Sequence, residues 1–268
     1  MRKRPSFRRL SSDMRREEII DAAINLFGHN AEHEVSIDDI ATAASTSRTS
    51  VYRYFDSKQD LYHTAMRRLC SELMRRMVQE VPAAPSVQLT TCVRRYFDFI
   101  EEYEVAYAGL LQLGAPMASE ETRALIQEVL EHIYHLAYQV LEVTDPTPAL
   151  ETTVHSWVAG VQLTGLEWLG SRRPDRAEVE RMLANQLGVM LIAAASHDGI
   201  IAERIEWLLT VEPVDGPFAG HLRRIADVFS LKLLSGVTRL LAYDDAGAGT
   251  GAAEPGPLPV DRADVRGD

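Results

Sequence analysis

Cysteine is almost absent from this chain. Cys70 and Cys92 are the only two in 268 residues, with no metal-ligand spacing between them. A disulfide scaffold and a Cys-rich zinc site are therefore excluded, and reduced thiols in a cytoplasmic setting are expected. Long apolar runs are missing too: no stretch reaches the roughly 18 residues of a membrane span, so no membrane partner is expected. The N-terminus lacks the apolar core of a signal peptide. Strand alternation is missing throughout, and the apolar spacing is helical almost without break. Catalytic signatures are missing as well. There is no phosphate loop, no nucleophile elbow and no paired aspartate-rich motif. None of the eight histidines has a Glu three residues before it, the pairing a di-iron carboxylate bundle needs. No catalytic residue, metal ligand or cofactor is expected.

A net positive charge is also lacking. The total is −11, with a sequence pI near 5.2, but the charge is unevenly placed. Through residue 80 there are 14 Lys/Arg against 12 Asp/Glu, and beyond it 14 against 27. A near-neutral, locally basic first part thus precedes an acidic body. Residues 2–16 hold Arg2, Lys3, Arg4, Arg8, Arg9, Arg15 and Arg16 against Asp13 alone. Such an arm reaches a DNA groove or backbone, or only adds nonspecific affinity.

What is present is a compact motif from Ser36 to Leu61. Ser36 with Asp39 makes a capping-box start, and Ile37, Ile40, Ala41 and Ala44 give the following helix one apolar face. Ser45-Thr46-Ser47 is a turn and a new N-cap. The next helix is predicted from about Arg48 through Phe55, with Val51 and Phe55 on its buried side. Ser47, Arg48, Thr49, Tyr52 and Arg53 are left outward, and these are side chains that reach base edges and phosphates. Ser57 with Asp60 caps a further helix, where Lys58 at the N-terminus would sit as a phosphate clamp. Two short helices, a three-residue turn and a third start have the geometry of a helix-turn-helix. Ahead of them Ile19, Ala22, Ala23, Leu26 and Phe27 form an amphipathic helix that ends near Gly28.

These residues resemble the DNA-binding domain of the TetR family of transcriptional regulators. The family's pattern falls on Ser36, Ile40-Ala41, Ala44, Ser47, Tyr52, Phe55, Ser57-Lys58 and Leu61, and the likeness covers roughly residues 13–65. The resemblance implies DNA contacts from Ser47, Thr49, Tyr52 and Tyr54, with Lys58 on a phosphate. Ser36, Thr46, Arg48 and Arg53 complete the candidate DNA-binding set. Four positions depart from the family: Ser45 where Gly is usual in the turn, Arg48-Thr49 where Lys-Gly is frequent, and Asp56 where Pro is common.

The fold expected is all-α: a three-helix head (13–57) after a basic flexible arm (1–12), then a helical effector-binding and dimerisation domain (58–243) and a disordered tail (244–268). Helix four is predicted to about Val81, and further helices over about 86–104, 105–113, 119–143, 149–170, 175–196, 200–210 and 218–242. The resemblance implies that 149–170 and 175–196 form a homodimer seam, for which Trp157, Val161, Gly165, Trp168, Met182, Leu187 and Met190 are the candidates. An internal core explains the same residues without a dimer. Tyr103, Tyr107, Leu111, Tyr134, Tyr138 and Trp157 are candidates to line a small-molecule site, and each also reads as plain core. Glu128, Glu131, His132 and His135 have a spacing that a metal or a solvated helix face explains.

The function expected is a ligand-responsive regulator. As a dimer it would read a palindromic double-stranded operator through two heads about 34 Å apart, and a small hydrophobic or aromatic effector would release it as a repressor. An all-helical enzyme and a nonspecific architectural DNA protein are the competing classes. The missing catalytic motifs weigh against the first, and the acidic body against the second.

Overall fold

The computed structural model describes residues 12–30, 32–78, 82–109 and 120–228. Nearly all of the expected arm, Leu111, residues 229–243 and the expected tail lie outside these. The described residues through His221 belong to one compact unit, and Leu222–Val228 are assigned to a second. Every regular element among the described residues is helical.

Helix α1 (Ser12–Phe27) buries Ile19, Ile20, Ala23 and Phe27. After a single 3-10 turn at Glu32–Glu34, α2 (Ile37–Ala43) and α3 (Arg48–Val51) complete a small head with the start of α4 (Lys58–Met77). Its centre is Ile19, Ile40, Val51, Leu61 and Ala65, each essentially inaccessible. Burying one such aliphatic side chain contributes about 1.5–3 kcal/mol. Phe27 meets Tyr62 edge-on at 4.8 Å. Regular helix in α3 ends sooner than expected. Phe55 is nevertheless buried, because a turn carries the chain on and Phe55 N still donates to the Val51 carbonyl at 3.1 Å.

Three side-chain caps fix the head's helix starts. Ser36 and Asp39 form a full capping box at α2, and donation from the Ser36 hydroxyl, then from its backbone N–H, holds the Asp39 carboxyl below the usual carboxylate range. Ser47 accepts from Ser50 N and Ser57 from Asp60 N. Each such cap is worth about 1 kcal/mol. Ser45 takes the left-handed conformation, with φ of 50°, where glycine is free of strain.

The body comprises α5 (Pro85–Glu102), α6 (Glu104–Gly109), α7 (Glu120–Val140), α8 (Pro148–Ser171), α9 (Arg176–Ala195), α10 (Gly199–Val211) and α11 (Pro217–Val228). α4 packs on α1, α5 and α7, so it belongs to head and body at once. Helix four ends at Met77 rather than near Val81, and Arg95 of α5 donates to the carbonyls of Arg76 and Val78, satisfying that helix end. α5 has no cap from its own N-terminal residues, and Glu212 supplies one by accepting from Ser86 N and Oγ, both at 2.6 Å. Arg176, which pairs with Asp98, Glu101 and Glu180, ties α9 to α5. No described helix is long and apolar enough to cross a membrane.

Candidate nucleic-acid interface and internal cavity

The outward side of the head is polar, and its side chains divide by what already holds them. Ser36 and Ser47 are exposed, but their hydroxyls accept in caps. Arg48 donates to Asp38 at 2.6 Å and lies over the Tyr52 ring at 5.6 Å. Two residues are thus pre-positioned on one surface strip. Thr49 and Arg53 are exposed, and Tyr52 keeps 45% of its surface. Thr46 and Tyr54 are half-buried, with Tyr54 packed on the core. Lys58 is half-buried and donates to the Glu32 carbonyl at 2.7 Å. An ammonium group has further donors, but this one also anchors the loop before α2.

A cavity of about 300 Å³ lies in the body, with walls from α4 to α11. That is the low end of the range of small-molecule pockets, about 300–1,000 Å³. Its walls are overwhelmingly apolar, with Leu73, Leu89, Val93, Ile133 and Val158 among them. Cys70 and Cys92 also line it. Burial, and then Glu128, push the Cys70 thiol up to about 11, so it stays protonated and unreactive at neutral pH.

Two of the candidate ligand residues, Tyr107 and Trp157, are on the lining. Tyr103, Tyr134 and Tyr138 are not, and this corrects their expected placement. Tyr103 packs on Phe99 and faces the Arg76 guanidinium. Tyr134 stacks on the His155 ring at 3.8 Å, and Tyr138 bonds the same ring at 3.3 Å. Tyr96 lines the cavity yet stood outside the candidate set. It shares an α5 stripe with Leu89 and Val93, a pattern that core and cavity wall have in common.

The expected dimer seam needs a larger correction. Trp157, Val161, Trp168 and Leu187 are buried within the chain, and so is Gly165. Trp157 donates to the Leu183 carbonyl at 2.8 Å and Trp168 to that of Pro174 at 2.9 Å. Little of their surface is left for a partner. Met190 is half-buried against the core, and only Met182 of the set is exposed. The outward apolar side chains of α8 and α9 are Leu163, Met182, Val189 and Ile192. Glu128, Glu131, His132 and His135 are exposed on α7, and the described residues contain no cluster able to hold a metal.

Comparison with known proteins agrees with both halves. Residues 19–65 match the family model described as bacterial regulatory proteins, tetR family, and residues 85–190 match the tetracyclin repressor-like C-terminal domain. A tetR-family transcriptional regulator from Streptomyces coelicolor is 34% identical, with a TM-score of 0.75 over 82% of this chain and 99% of that one. The transcriptional activator FasR of Mycolicibacterium smegmatis is 31% identical over 133 residues, 48% of this chain and 61% of FasR. The chain thus spans less than two thirds of that curated relative. FadR of Bacillus subtilis, solved with stearoyl-CoA, shares the fold at 19% identity, with a TM-score of 0.54 over 64% of this chain and 96% of FadR.

Proposed function

The chain belongs to the TetR family of DNA-binding transcriptional regulators, and from that premise we propose that it is a cytoplasmic, homodimeric repressor that binds a palindromic operator and lets go when a small lipophilic effector fills its cavity. One observation carries this reading: α4 and α6 each touch both the head and the cavity. Leu69, Leu73 and Met77 of α4 line the cavity, while Leu61 and Ala65 of the same helix are head core. On α6, Tyr107 lines the cavity, and its neighbour Ala106 abuts Gly28 at the end of α1. A Cβ on Gly28 would sit 2.5 Å from the Ala106 backbone. An effector that prefers one placement of these helices shifts the head's population toward it.

Thr49, Tyr52 and Arg53 would read the DNA, with Arg48 held ready by Asp38, Ser47 fixing the helix start, and Lys58 meeting a phosphate from its place beside Glu32. Ser36, Thr46 and Tyr54 would shape this surface rather than dominate it. The dimer would close on Leu163, Met182, Val189 and Ile192, because a single head reads too few bases for useful selectivity. The apolar lining favours a lipophilic effector, and the fold accommodates an acyl-CoA in the FadR neighbour. FasR is named an activator, so the sign of regulation rests on the release mechanism proposed here. Selection of bound duplexes from a random pool tests the reading. An enriched inverted repeat is expected. Unselective binding that vanishes at moderate salt contradicts it.

A further inference from the structure

The cavity lining is uneven in a way that bears on what enters it. No Lys or Arg occurs among the described lining residues. The one lining carboxylate, Glu212, is engaged by Ser86. The one lining imidazole, His221, is not without a partner of its own. An ionised ligand would therefore lose its water and meet no lysine or arginine among the described lining residues.

Two phenols are among the most buried residues of the lining. Tyr96 and Tyr107 are each 8% exposed, and their hydroxyls bond one another. A pair of phenols sharing one hydrogen bond uses one of its two protons. The second O–H has no hydrogen-bond acceptor among the described residues, and a buried donor left without one is costly. Burial pushes Tyr107 up to about 12 and raises Tyr96 as well, so both stay protonated donors. Gly165 of α8 makes room for them: a Cβ there would lie 2.7 Å from the Tyr96 hydroxyl.

We propose that the cavity selects an uncharged lipophilic ligand bearing one hydrogen-bond acceptor, such as an ester, amide or ketone oxygen, which the Tyr96–Tyr107 hydroxyl pair takes, and that it rejects the matching carboxylate. This rests on reading the cavity as the effector site. The apolar walls take the chain of the ligand, and the spare phenol proton fixes its one oxygen.

Nile red displacement from the full-length protein at pH 8 tests both levels. The dye reports an occupied cavity if the filling variant Ala137→Phe, folded by circular dichroism, loses it. Methyl decanoate is expected to displace it at least about tenfold more tightly than decanoic acid, because only the acid carries a charge into the apolar site. Lowering the pH toward the acid's own pKa should narrow that gap. Tyr107→Phe should weaken the ester about fivefold, and Gly165→Ala, which crowds Tyr96, should also weaken it. Equal displacement by acid and ester at pH 8, or an ester indifferent to Tyr107→Phe, overturns the ligand class and leaves the cavity reading standing. A dye displaced by neither compound does the same. No dye binding and no titration by either compound overturns both.

Discussion

The head and the body hold themselves together at different ranges. In the head the helix caps span only three residues, Ser36 with Asp39, Ser47 with Ser50 and Ser57 with Asp60, and Lys58 adds a longer tie to Glu32. In the body α8 and α10 have local caps from Thr147 and Asp198, but other contacts span the chain. Glu212 caps α5 from 126 residues away, and Arg176 reaches Asp98 across 78. The head can therefore present Thr49, Tyr52 and Arg53 to solvent at little cost to its own stability. The body's cavity wall is assembled from distant pieces, and each piece matters to folding as well as to binding. Helices α4 and α6 are where the two regimes meet.

Substitutions sharpen this contrast. Trp157→Ala removes a cavity wall and its bond to Leu183, and should cost about 3–5 kcal/mol in urea unfolding. Tyr52→Ala, by contrast, should leave stability within about 0.5 kcal/mol while weakening operator binding. A large stability loss at Tyr52 would break the comparison. At the junction, Gly28→Ala drives a methyl into the Ala106 backbone, which cannot swing aside as a side chain would. It should cost about 1–3 kcal/mol and alter the response to effector more than operator affinity itself, a split that binding titrations with and without ligand would reveal.

Glu72 offers a test by pH. Hydrogen bonds from Arg75 and then Arg76 hold its carboxyl near pKa 2 against an ordinary 4.5. A depressed folded-state pKa stabilises above the unfolded value, and that stability drains away as pH falls from about 4.5 through 2. Glu72→Gln should therefore cost about 1–2 kcal/mol at neutral pH, allowing for screening of the exposed Arg75. The difference from the natural chain should close on acidification, and a constant gap across that window would refute the pairing. The smallest effect belongs to the head. Ser45→Gly relieves the left-handed turn at φ 50° and should raise stability by about 0.5 kcal/mol, glycine's looser unfolded state offsetting part of the relief. A calorimetric scan resolves it.

The same difference in range explains what was legible in the sequence. Caps and apolar faces of the head involve neighbours three or four residues apart, so Ser36, Ser47, Val51 and Phe55 announce their roles in one dimension. Helix spacing in the body was nearly as legible, with most ends within two residues. What the spacing cannot say is which neighbour covers an apolar face. Trp157 and Trp168 have the size and period of an interface, but their indole N–H groups find acceptors inside the chain. The outward residues Leu163 and Ile192 looked no different on paper. Tyr134 and Tyr138 likewise read as cavity wall until His155, from another helix, took both. Lys58 was legible as a helix-start cation, and its bond to Glu32, 26 residues earlier, was not.

Regulation by this protein turns on the coupling between head and cavity. The most direct measurement is the affinity of the full-length protein for its selected inverted repeat, by fluorescence anisotropy, with the cavity empty and then saturated with a neutral lipophilic ligand. The prediction is tight, salt-dependent binding that weakens at least about tenfold on saturation, within the usual range of allosteric coupling. An affinity that saturation leaves unchanged, or one equal for the repeat and a scrambled duplex of the same length, would contradict it.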